Sequence, residues 1–190
     1  MTTTLSMKPL YARLKNAGLD SVFVKKYVLP EWWDDSIAHE QAGYMQALSI
    51  ISRNLGIEFS SLERKTGAIL PQAEKSVKFK KSMGTNTAEL AWANAIAVKT
   101  AELAARAFTK TLFNIALPAE QLRETILASG NRYVALDNLL DYLWSNGVPV
   151  VHVSGFPKGR KMEGMAVRIG ERPVIIISKS SKCSAWLLFI

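Results

Sequence analysis

The 190-residue chain carries one cysteine, Cys183, and only two histidines, His39 and His152. A single thiol excludes an internal disulfide framework and fits a reducing, cytoplasmic setting. The two histidines lie in unrelated segments, and neither is followed four residues on by another. Catalytic zinc needs at least three well-placed N, O or S ligands, and the sequence does not assemble them, so no metal-binding or catalytic residue is assigned. No apolar run approaches the roughly 18 residues of a membrane span. The longest, 174–177 and 185–190, are strand-sized or a helix stub of under two turns. The start, MTTTLSMKPL, has no apolar stretch long enough for a secretory signal. No membrane partner is therefore expected.

What remains is a globular balance, 48% apolar and 21% charged, enough for one good core or for a small helical domain with part of a second. The net charge of +8 is spread over both ends. Twelve basic residues face eight acidic ones over 1–82, four face four over 83–128, and eight face four over 129–190. Such an excess draws a protein towards nucleic acid or acidic partners, or it serves solubility alone.

Residues 7–29 read as two short helices. Leu10, Leu14 and Ala17 recur at helical spacing, Gly18 supplies a left-handed stop, Asp20 can cap the second helix, and Pro30 ends it. In the following PEWWDDS, adjacent Trp32 and Trp33 point in different directions. One can pin the connector to the core while the other faces outward, either as an aromatic plug or as a stacking platform for a base or peptide. Asp34 and Asp35 are read as a cap and a solvent-facing residue.

Residues 41–65 are the first functional candidate. Ala47, Ile51 and Leu55 share a helix face, Gly56 breaks the helix, Ile57 tucks back, and Ser60 or Ser61 can cap a short helix containing Leu62. This pattern is similar to a repressor-class helix-turn-helix. It would set Ser60, Ser61, Arg64 and Lys65 against DNA with Arg53 on phosphate; two helices packed through a glycine are the plainer reading. Lys75, Lys78, Lys80 and Lys81 alternate with Val77 and Phe79, as a phosphate-contacting arm or as a solvated linker or edge.

Asn86, with Glu89 three residues on, opens a long alanine-rich helix expected to reach Phe113. Its apolar side, including Leu90, Trp92, Ile96, Ala97, Ala101 and Leu103, suits a packing spine or a dimer face. Pro118 begins the next helix and Gly130 ends it. In 135–145, Leu136, Leu139, Leu140 and Leu143 face inward and Asp137 and Asp141 outward, and Asn146-Gly147 turns the chain into a strand over 148–153. Pro149 places that strand at an edge or at its own start. Met165, Val167 and Ile169 alternate with Ala166 and Arg168, residues 170–173 turn, and 174–177 form a buried strand. Ser180, Ser181 or Ser184 can open a last helix. Cys183, near that helix start, has no evident His partner, and His152 reads as a packed or edge residue.

The last block resembles the ImmA/IrrE family of zinc metallopeptidases. The resemblance covers residues 136–190 and rests on Gly147, Val150, Gly164, Ala166, Pro173, Val174, Ile175 and the run Trp186-Leu187-Leu188-Phe189. It implies an α+β fold: a mostly helical amino-terminal region followed by the strand and hairpin of a zincin-like domain. In the family that final run feeds a helix bearing His-Glu-x-x-His, whose two histidines share one zinc while the glutamate activates its water. Family members cleave transcriptional repressors under stress or phage-related signals and are often joined to helix-turn-helix regulators.

Ile190 falls where the zinc motif would begin, so the expectation is the amino-terminal part of such a peptidase, with zinc expected only in the complete protein and this chain non-catalytic. A repressor-type protein would be its substrate or partner. The division expected is 1–82, a helical region with the helix-turn-helix-like segment, and 83–190, the long helix with the peptidase-like part. The alternative is a DNA-binding regulatory or protein-interaction module. Self-association could run through Trp186, Leu187, Leu188 and Phe189, or through the 86–113 helix.

Overall fold

Helix α1 (Met7–Asn16) buries Met7, Leu10 and Leu14, and Gly18 follows with φ 87°. Asp20 then accepts the Phe23 backbone N–H at 2.8 Å and caps α2 (Ser21–Phe23). The expected second helix does not stay α-helical. It widens into a π turn over Val24–Val28, closed by Leu29 N–H donating to the Val24 carbonyl at 2.9 Å. A 3₁₀ turn (Asp35–His39) and α3 (Gln41–Leu55) follow. Gly56, at φ 63°, ends α3 where a Cβ would also come within 3.2 Å of the Ala95 carbonyl. The short α4 (Phe59–Glu63) has Glu58, not Ser60 or Ser61, at its cap position.

The computed structural model describes residues 5–72, 77–80, 87–111, 117–156 and 163–178. Among them the architecture is α+β, with seven α-helices and one four-stranded mixed sheet. The expected features at Asn86, Phe113, Cys183 and Trp186–Phe189 lie outside the described residues, as do Lys75 and Lys81.

Two compact units form. The first comprises Met1–Lys75, Gly84–Lys99 and Gly155–Lys161, the second Ser76–Met83, Thr100–Ser154 and Met162–Ile190. The division differs from the expected 1–82 and 83–190 for two physical reasons. Trp92 and Ile96 of α5 (Thr87–Ala107) join the core built by α1, α2 and α3. Strand β1 (Val77–Lys80), in the lysine-rich stretch, pairs antiparallel with β3 (Gly164–Ile169) and so belongs to the sheet. The core of the first unit is continuous from Met7 through Leu48, Ile51, Leu55, Ile57 and Leu62 to Ile69.

Helix α5 stops at Ala107, short of the expected Phe113. Phe108 leaves the helix to make an edge contact with Trp144, ring centroids 5.0 Å apart. Ala97 and Ala101 are buried as expected, and Ala93 with them, but Leu103 is 65% exposed, so the apolar face does not extend that far.

In the second unit α6 (Ala119–Ala128) starts after Pro118 and ends before Gly130 at φ 90°. Helix α7 (Leu136–Ser145) keeps Asp137 and Asp141 exposed, with its four leucines half-buried. Gly147 (φ 84°) turns the chain into β2 (Val150–Val153). The sheet order is β1-β3-β4-β2. β4 (Arg172–Ser178) pairs antiparallel with β3 and parallel with β2, with Val150 opposite Ile175. Alternation in β3 is as expected: Met165 and Val167 are buried, Ala166 and Arg168 exposed. The hairpin turn is tighter than the expected 170–173. Ile169 pairs with Arg172, which leaves two residues, and Gly170 takes the positive φ (61°) that suits the strand twist.

Arg172 locks this unit. Its guanidinium donates to the Gly147 carbonyl at 2.5 Å and the Lys110 carbonyl at 2.8 Å, and lies 5.3 Å from the centre of the Phe108 ring.

Candidate functional site

Of the residues expected at DNA, Arg53, Arg64 and Lys65 are exposed, Ser60 is half-buried and Ser61 is buried. Ser61 is fully buried; its hydroxyl donates to the Glu58 carbonyl at 2.7 Å and accepts Leu70 N–H at 3.1 Å. It ties α4 to the returning loop, whose Leu70 carbonyl accepts Glu58 N–H and whose Gln72 N–H donates to the Gly56 carbonyl. Ser60 is half-buried and donates to the Glu58 carboxylate at 2.7 Å, which sets an anionic group at the start of α4. Arg64 and Lys65 are exposed beyond the end of α4. A five-residue helix with a carboxylate at its first turn is a poor element for reaching base edges past phosphates. Within the helix-turn-helix-like segment the structure corrects Ser61, which is buried and fastens α4 to the loop that follows it. Ser60 and Ser61 failed as caps because Glu58 already holds the extended backbone of the cap position.

Arg13 shows what the α4 end is fastened to. From α1, its guanidinium donates to the Ser61 carbonyl at 2.6 Å, the Leu62 carbonyl at 3.0 Å and the Arg64 carbonyl. These are the free carbonyls of a helix carboxyl end, where a cation is favoured.

Arg53 lies elsewhere, on α3, and opposite it is Trp32. Together they line an open cleft of about 630 Å³. One wall is the connector Val28, Leu29, Pro30 and Trp32; the other is Gln46, Ser49, Ile50, Arg53 and Asn54. Gln46, Ser49, Ile50 and Arg53 follow helical spacing, so they share one face of α3. Asn54 Nδ2 donates to the Val28 carbonyl at 2.8 Å and fastens the walls together.

The connector is held from beneath by Asp35. Its carboxylate accepts the Tyr11 hydroxyl at 2.7 Å, the Lys25 ammonium at 2.6 Å and Trp33 Nε1 at 3.2 Å. Asp35 is thus not the solvent-facing residue expected. Burial pushes its carboxyl up, but the three hydrogen bonds outweigh burial and hold it below the usual carboxylate range. Partial burial, then the Asp35 bond and charge, push the Tyr11 phenol well above its ordinary value. Asp34 caps the 3₁₀ turn through Ser36, whose side-chain and backbone hydrogen bonds lower its carboxyl. Trp33 is half-buried, whereas Trp32 is 60% exposed with its ring centroid 6.0 Å from that of Trp33. The expectation of one inward and one outward tryptophan holds.

His39 is exposed in the 3₁₀ turn, and His152 is exposed on β2, an edge strand. Among the described residues no group of three His, Cys, Asp or Glu could hold a metal, and no helix is long and apolar enough to cross a membrane. Comparison of the chain with known protein families, curated proteins and solved structures finds no match.

Proposed function

We propose that this chain is the amino-terminal portion of an ImmA/IrrE-like zinc metallopeptidase acting on a repressor-type protein, and that residues 1–190 are themselves non-catalytic. The observation that carries the reading is the path of α7 through Gly147 into β2, which runs parallel to β4 of the tight β3–β4 hairpin. Over the described residues from Leu136 to Ser178 that path agrees with the helix, strand and hairpin of the resemblance. The two histidines fall in different segments, and among the described residues no group of three ligands converges. The zinc and its activated water would belong to the family motif, and no chemical step is assigned to the residues present.

The test pairs two measurements. The protein from its native source should have an intact mass above 21.0 kDa, the added sequence carrying His-Glu-x-x-His. Purified residues 1–190 should retain far less than one zinc per chain after dialysis and cleave no repressor-type protein. Stoichiometric zinc or zinc-dependent proteolysis by residues 1–190 would overturn the non-catalytic assignment, and a native mass of 21.0 kDa the peptidase one.

A further inference from the structure

The cleft between Trp32 and α3 has the parts of a nucleotide site. A planar anionic ligand needs an aromatic face, a cation one phosphate away, and polar groups for the edge of the ring. Trp32 supplies the face. Its exposure is not that of a loose loop tip, because Trp33 N–H donates to the Pro30 carbonyl at 2.9 Å and Asp35 anchors the Trp33 indole. The platform is therefore set before any ligand arrives, which reduces the ordering cost of binding.

Arg53 supplies the cation. It is exposed, and its side chain makes no hydrogen bond or ion pair among the described residues. Ser49 and Gln46, one and two turns before Arg53, offer hydroxyl and amide groups on the same wall. The volume of about 630 Å³ falls in the range of small-ligand pockets. A peptide strand would want an unpaired sheet edge or a continuous apolar groove, and this cleft between a loop and a helix has neither.

We propose that this cleft binds one nucleotide unit, the base stacked on Trp32 and the phosphate at Arg53. The unit can come from a free nucleotide or from a single strand. The site stands apart from the peptidase reading, because none of its residues belongs to the sheet.

The test uses residues 1–190, with adenosine monophosphate and an eight-nucleotide oligothymidylate as probes. Binding to the wild type is followed through the indole N–H resonance of Trp32, assigned by its loss in W32F, and binding to every variant through the backbone amide resonances of Ser49 and Ile50 on the facing wall. Saturable shifts are expected, with affinity falling about tenfold in W32A and by a similar factor in R53Q, where the oligonucleotide should also lose about one phosphate's worth of salt dependence. Similar affinity for both probes identifies a free nucleotide, and binding of the oligonucleotide alone identifies a single strand. A Trp32 resonance unmoved by either probe at millimolar concentration overturns the proposal, as does unchanged affinity in both variants. Both side chains are exposed, so the variants should keep the wild-type melting temperature; the wild-type titration decides the matter even where they do not.

Discussion

The Tyr11 hydroxyl donates to Asp35 Oδ1 at 2.7 Å, joining the first helix to the connector that carries both tryptophans. Asp35 also accepts from Lys25 and from the Trp33 indole, so one carboxylate gathers α1, the π turn and the connector. Replacing Tyr11 by Phe removes one charge-assisted bond at a part-buried site and should lower stability by about 1–2 kcal/mol. Asp35→Asn should cost more, because three donors lose their anionic acceptor together. Urea midpoints of the two variants would check the order; equal midpoints to wild type would show that the cluster is only a surface feature.

The same pair sets a pH dependence at both ends of the scale. The folded Asp35 carboxyl lies below its unfolded value. Its stabilisation is therefore fully present above the unfolded pKa of about 3.9 and is lost as pH falls through the folded value. Tyr11 is shifted the other way, its folded value raised by burial and by Asp35. Its contribution is fully present below about 10 and is lost as pH rises through the folded value. Thermal scans should show a shallower acid decline in Asp35→Asn, and a shallower alkaline decline in Tyr11→Phe, than in wild type. Acid and alkaline limbs that superimpose on wild type would refute the linkage.

These contacts explain what could be read in the sequence and what could not. Gly18, Asp20, Gly56, Pro118, Gly130 and Gly147 each punctuate a helix through local backbone geometry, and each falls where expected. The alternation of β3 and the glycine of its hairpin were equally local. The contacts of Asp35 and Arg13 join residues 24 and about 50 positions apart, and no spacing rule announces such partners. Val77 and Phe79 alternated within the lysine-rich stretch, but a four-residue strand shows itself only through its partner β3. Trp32 and Arg53 were each legible as candidates. Their meeting across one cleft depends on the π turn and on the Asn54–Val28 bond.

Arg13 should be among the most sensitive charged positions of the first unit. Its guanidinium serves several carbonyls of α4 at once, and a lysine cannot reproduce that fork. Arg13→Ala should destabilise by about 2–3 kcal/mol, with Arg13→Lys recovering only part. Hydrogen exchange would localise the effect: amides of Leu62 and Leu70 should lose protection before those of α3. Uniform loss across the unit would mean that Arg13 acts on global stability alone.

Gly43 has a steric role. It is buried in α3, and a Cβ there would lie 2.0 Å from the Ile37 carbonyl oxygen. The obstacle is backbone of the 3₁₀ turn, so no side-chain rotation relieves it. Gly43→Ala should cost about 2 kcal/mol or more, despite the better helix propensity of alanine. A gain in melting temperature would show that the turn moves freely from α3.

Ser61 and its basic neighbours separate a structural role from a nucleic-acid role. The Ser61 hydroxyl bridges the Glu58 carbonyl and Leu70 N–H inside the unit. Ser61→Ala leaves that N–H without its acceptor and should cost about 1–3 kcal/mol. Arg64 and Lys65 are exposed beyond the helix, and neither side chain takes part in a hydrogen bond or ion pair among the described residues. Changing both to Gln should move stability by less than about 0.5 kcal/mol. The double variant should also leave nucleotide binding at the Trp32 cleft unchanged, because α4 does not line it. A loss of stability in the Arg64/Lys65 pair with none in Ser61→Ala would reverse these assignments, and would return the α4 region to the status of a free surface.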